Sequence, residues 1–185
     1  MRLVPVVVVA LASIASAAPK LPAHYAALFD PKATWRYELA RADSSKPEPD
    51  ATCKVVRTVT IGKVIASEVT CDRDLPVAGV YLAMPQGLFR SGFEFPATAD
   101  DIGDLAMHQL LIQAKPNPTA TQVAKYAPTT PVTKVVTTFG VRREDKMWCW
   151  YRTTERSKKD RNTDTLCFNG GVAHGLDGGL AFRLR

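Results

Sequence analysis

Four cysteines, three histidines and a scatter of carboxylates are the side chains of this sequence best placed to do chemistry. Cys53 and Cys71 are separated by the same offset as Cys149 and Cys167. Each pair sits on strand-like runs either side of a turn. Opposed residues of an antiparallel hairpin lie close to the Cα separation that a disulfide needs. Four cysteines allow three connectivities, and the spacing favours the local one, Cys53–Cys71 with Cys149–Cys167. In the first hairpin a two-residue Gly62-Lys63 turn would set Cys53 one residue out of register, so this pairing needs a longer connection or a bulge. Zinc sites usually bring cysteines in C-x₂₋₄-C pairs, and none is present, so neither a metal nor a cofactor is expected.

Nucleophilic catalysis needs a base held against the nucleophile. There is no Gly-x-Ser-x-Gly elbow, and pairing accounts for all four cysteines. Among His24, His108 and His174, the last stands out. It lies in Gly171-Val172-Ala173-His174-Gly175, where a small-residue backbone can approach a ligand closely. An exposed loop histidine is the plainer reading. Glu68, Asp72 and Asp74 cluster in sequence, and paired carboxylates can run glycoside hydrolysis. Asp100-Asp101-x-x-Asp104 lacks the alternating spacing of a calcium loop and reads as the first turn of a helix. Trp148 and Trp150 share one face of a strand, either as a stacking platform for sugars or as the second layer of a core. Lys158, Lys159 and Arg161 lie in a charged stretch, 155–164, with the composition of a solvated loop.

The elements that carry these residues read as mostly β. Thr34 to Ala40 alternates cleanly, with Trp35, Tyr37 and Leu39 on one face. Met147 to Thr154 puts Cys149 and Tyr151 on one face, and Trp148, Trp150 and Arg152 on the other. Further strands are expected on both sides of Pro85-Gln86-Gly87, over 132–141, and over the alternating end from Gly178 to Arg185. Thr98 with Asp101 forms a capping-box pattern that opens a helix over Asp100–Gln109, weakened by Gly103. The fold expected is an antiparallel sheet, open barrel or sandwich. It is built from two cysteine-stapled hairpin halves, 34–95 and 132–185, with one short helix near 100–112 and a proline-rich linker between the halves. Each half runs strand, cysteine strand, cysteine strand, closing strand, as in a degenerate internal repeat.

Residues 1–17 have the form of a secretory leader. Arg2 precedes an apolar run of 12 residues, Leu3–Ile14, and Ala15-Ser16-Ala17 supplies a small-x-small cleavage site. That run is shorter than the about 20 residues needed to span a bilayer, so no integral span is expected. The rest, 18–185, is long enough for one domain with a real core. Removing Arg2 lowers the formal charge from +6 to +5. Cations are scattered among acids, without the basic stripe of a nucleic-acid binder. An oxidising address, secreted or periplasmic, favours the disulfides.

The Trp35-Arg36-Tyr37 strand, Trp148-Cys149 and Cys167-Phe168-Asn169-Gly170-Gly171-Val172 resemble a pattern in uncharacterised bacterial secreted or envelope proteins. Those have a W-x-Y opening strand and a C-F-x-x-G-x-G-like closing segment. Val172 stands where the last glycine of that pattern would fall. The resemblance implies a β-rich envelope domain and carries no activity. Together these features point away from an enzyme and toward binding or envelope structure, with another envelope or secreted protein or a glycan as partner. The alternatives are an inhibitor presenting the 155–164 loop, or a hydrolase using carboxylates or His174.

Overall fold

The computed structural model describes residues 20–96, 98–103, 108–114, 125–126, 136–157 and 160–185. The leader read over 1–17 lies outside them, as does most of the proline-rich linker. The N-terminal meander comprises β1 (Thr34–Arg41), β2 (Ala51–Ile61), β3 (Val64–Cys71), β4 (Gly79–Met84), β5 (Gly87–Ser91) and β6 (His108–Gln113). The C-terminal one comprises β7 (Lys125–Tyr126), β8 (Val136–Glu144), β9 (Met147–Ser157), β10 (Asp160–Asn169), β11 (Gly171–Asp177) and β12 (Leu180–Leu184).

All twelve strands form one antiparallel sheet in the order β6-β5-β4-β3-β2-β1-β12-β11-β10-β9-β8-β7. The two halves are joined where β1 pairs with β12, from Tyr37 opposite Leu184 to Arg41 opposite Leu180. The sheet curls until β6 comes against β9, giving a nearly closed barrel. Curling lets one face of every strand bury itself against the others, which a single flat sheet cannot do. Trp35, Tyr37 and Leu39 on β1, Trp150 on β9, Leu166 and Phe168 on β10 and Phe182 on β12 fill the lumen. A 3-10 turn, Ala26–Phe29, closes one end. Its Tyr25 and Leu28 neighbours are buried. The Ala27 amide donates to the Gly170 carbonyl at 2.7 Å, and the Ser67 hydroxyl donates to the Leu28 carbonyl. The Tyr37 hydroxyl, whose pKa burial pushes far up, donates to the Val172 carbonyl at 2.7 Å.

The first hairpin meets its register problem with a bulge. Ile61 pairs with Val64 across a two-residue Gly62-Lys63 turn, and Gly62 adopts φ +60°. Val56 is skipped between Val55 and Arg57, which brings Cys53 opposite Cys71.

Two local expectations change. The helix expected near 100–112 shrinks to a 3-10 turn over Asp100–Ile102. Thr98 does bond Asp101, its amide and hydroxyl donating at 2.7 and 2.8 Å, but Gly103 at φ +64° ends the turn. His108–Gln113 then pairs with β5 as a strand. The segment before it covers a second apolar cluster on the outer face, Ala66, Val80, Leu82 and Phe89, to which Phe95 and Ile102 add. The described residues of the 155–164 stretch are strand rather than loop. β9 runs on to Ser157 and β10 starts at Asp160, with Asn162–Thr154 and Thr163–Thr153 paired. Ladder pairing between the two strands overrides a composition that locally favours a turn.

Candidate functional site

Along several strands the inward-facing row changes character at one level. β1 reads Trp35, Tyr37, Leu39, then Arg41. β9 reads Trp148, Trp150, then Arg152. β10, running the other way, reads Phe168, Leu166, then Asp164. β5 reads Leu88, then Arg90. The apolar residues of these rows are core, and the charged ones gather at the end of the lumen away from the 3-10 plug. There they line a cavity of about 410 Å³. The β3–β4 connection, 72–78, folds inward under it with Leu75 and Val77 buried, and Gln109 and Leu180 complete the walls.

The acids and bases of this mouth are not equivalent. Asp164 is only 5 % exposed. Its Oδ2 accepts from Arg152 Nε at 2.9 Å and Nη2 at 2.6 Å, and its Oδ1 accepts from Asn162 Nδ2 and the Gly178 amide, both at 3.2 Å. A carboxyl group so surrounded is held in place by its four donors. Asp177 lies beside it, 3.7 Å from Arg152 Nη2. Burial, and then the charge of Asp164, push its pKa above the ordinary aspartate value. Arg41 is held by Glu48 at 3.1 Å. Arg90 instead donates from Nη2 to the Ala78 carbonyl at 2.6 Å, and it lies across Gly79, where an added Cβ would sit 3.1 Å from its Nε. That carbonyl bond leaves the guanidinium without a carboxylate in direct contact, although its charge is felt by Asp177 across the mouth. The Trp150 indole nitrogen is also buried at this cavity and has no hydrogen-bond partner among the described residues.

The residues singled out from sequence fall elsewhere or only partly here. The bridges are Cys53–Cys71 and Cys149–Cys167, each with a Cα separation of 4.0 Å and each within a single hairpin. Trp148 and Trp150 do share a face, and it is the inner one. Trp150 is 5 % exposed and packs near Phe139, so the pair is core rather than an exposed platform. Lys158 and Lys159 lie outside the described residues, while Arg161 is exposed on β10 opposite Glu155. Glu68 pairs with Arg57 at 2.6 Å, and Asp72 accepts the Thr52 amide at 2.8 Å. Of that acidic trio only Asp74 reaches the mouth. His108 is buried with its Nε2 at 2.5 Å from the Ile102 carbonyl. His24 is half-buried near Trp148, and burial lowers its pKa. His174 sits on the outer wall, opposite Cys167 on one side and Arg183 on the other.

Sequence reading missed the charged mouth, although one signal was present. Arg152 shares the alternating face of the two tryptophans, and Arg41 follows Leu39 at the same inward spacing. Comparison with known protein families, with curated proteins and with solved structures finds no match for this chain. Among the described residues, no helix is long and apolar enough to cross a membrane.

Proposed function

We propose that this is a secreted or periplasmic binding protein whose ligand enters the charged mouth of the lumen and presents an anionic group, carboxylate or phosphate, to Arg90. The leader-like residues 1–17 and the two disulfides support the address. The observation that carries the binding reading is Arg90 itself. It is an inward-facing guanidinium, positioned by a carbonyl and a glycine, in a mouth where Asp164 is bound by Arg152 and Arg41 by Glu48. Arginine's planar donor fork suits bidentate capture of a carboxylate or phosphate. Pockets of this size are typical of small-molecule sites.

A hydrolase is the less favoured reading. Asp177 and Asp164 lie close enough for the charge of one to raise the pKa of the other, both beside Arg152. Glycosidase carboxylates stand about 5 Å or more apart, with the sugar between them. The test uses inorganic phosphate and glucuronate as probes in calorimetry with the intact chain. Binding that is lost in Arg90→Gln and weakened in Arg41→Gln, with both variants folded, supports the reading. Absence of binding by either probe, or binding unaffected by both substitutions, overturns it.

A further inference from the structure

On the outer wall, one cross-strand row runs Arg142 on β8, Cys149 on β9, Cys167 on β10 and His174 on β11. Glu144 lies one pleat along β8 and reaches this row, its Oε1 at 2.5 Å from Arg142 Nε. The ligand atoms of Glu144, Cys149, Cys167 and His174 all lie within 4.8 Å of one another. Two sulfurs, one imidazole and one carboxylate converging from four neighbouring strands are the donor set of a tetrahedral zinc site. We propose that when the Cys149–Cys167 bridge is reduced, these four residues bind Zn²⁺, so that the outer hairpin is closed either by a disulfide or by a metal.

The geometry needs little adjustment. Tetrahedral zinc, with Zn–S near 2.3 Å, holds its sulfurs about 3.8 Å apart. Cutting the bridge frees the sulfurs to reach that separation by side-chain rotation, because the ladder already fixes their strands. Charge also balances. Two thiolates and Glu144 oppose one divalent cation, and the Arg142 guanidinium cancels the remaining negative charge. An outer groove of about 490 Å³, lined by Met147 and His174, runs beside the row and gives the ion a way in. The other bridge has no such surroundings. Cys53 belongs to the apolar core of the lumen, and Cys71 packs against it.

The exchange balances as follows. An external dithiol gives two electrons to the bridge and closes to its own disulfide. The S–S bond breaks, and the dithiol's two protons pass to Cys149 and Cys167. Zn²⁺ then displaces both protons as the thiolates bind it. In the oxidised chain only His174 and Glu144 remain as donors, too few to hold the metal tightly.

Co²⁺, a spectroscopic stand-in for Zn²⁺, tests this on the intact chain before and after treatment with a phosphine reductant. The expected result is a sulfur-to-cobalt charge-transfer band and intense tetrahedral d–d bands in the reduced chain only. Zn²⁺ should abolish both sets. His174→Ala and Glu144→Gln should each weaken Co²⁺ binding by roughly a hundredfold. Cys149→Ser should remove most of the charge-transfer intensity. Four results overturn the proposal. The reduced chain shows no such band; the band persists undiminished in the His174→Ala, Glu144→Gln double variant; the bridge resists the phosphine while the chain stays folded; or the reduced chain is unfolded with and without metal.

Discussion

The two cysteine hairpins match in spacing, in pairing and in Cα separation, yet their bridges point to opposite sides of the sheet. Cys53–Cys71 lies inside the lumen beneath Trp35, which pairs with Cys53 across β1 and β2. Cys149–Cys167 lies on the outer wall beside His174. The inversion extends beyond the cysteines. Arg90 points inward and Phe89 joins the outer apolar cluster, whereas in the corresponding triplet Phe182 fills the lumen and Arg183 is exposed. Strand parity explains this. β1–β5 and β8–β12 are five-stranded meanders laid end to end in one antiparallel sheet. An odd number of strands makes the second unit run opposite to the first while its lateral order is kept. Reversing direction at fixed order is possible only by turning the unit over. Matching positions therefore exchange inside for outside, and sequence similarity between the halves does not imply similar environments.

Removing either bridge should have the largest effect. Cys53→Ala with Cys71→Ala should cost about 4 kcal/mol in denaturant unfolding, about 3 kcal/mol from loop entropy and the rest from the space left in the core. Cys149→Ala with Cys167→Ala opens a loop of the same separation, 18 residues, and empties two positions that are themselves fully buried, so it should cost about as much, about 4 kcal/mol. A loss under about 1 kcal/mol for either pair would mean that the ladder alone sets that hairpin and would remove its bridge from the comparison. At the mouth, Asp164→Asn should cost about 1–2 kcal/mol, because half-exposed Arg152 loses a charged acceptor but keeps access to water. Asp177→Asn should act in the opposite sense and least. A carboxyl whose folded pKa is raised contributes stability below its unfolded pKa and loses it as pH rises through the folded one. The variant should therefore melt slightly higher than the parent at pH 7. That gain should vanish near pH 3, where the parent carboxyl is protonated in both states. Thermal melts at the two pH values check it.

Much of the sheet could be read from residue patterns, because alternation is local. Trp35-Tyr37-Leu39 and Trp148-Trp150-Arg152 each declare a face, and the equal cysteine offset declares a hairpin register. Which face looks inward is not local. It depends on the β1–β12 pairing and on strand parity, so the tryptophan pair was open to an outward reading. The Thr98–Asp101 contact is equally local and does form, but Gly103 at φ +64° ends the turn and His108 already belongs to a strand. The mouth was the least legible part. Arg152 and Asp164 oppose each other across the β9–β10 hairpin, but Arg41 on β1 and Arg90 on β5 join them only through the β1–β12 pairing and the curl of the sheet.

The pairing of β1 with β12 also sets a schedule. β12 is made after the other eleven strands, and without it β1 exposes an unpaired edge and Leu39 lacks Phe182 opposite. Until residues 180–184 arrive, the N-terminal meander is an open ribbon with its aromatic face uncovered and a free edge able to recruit any passing strand. The last strand of the sheet is thus the one that closes the seam between its two halves.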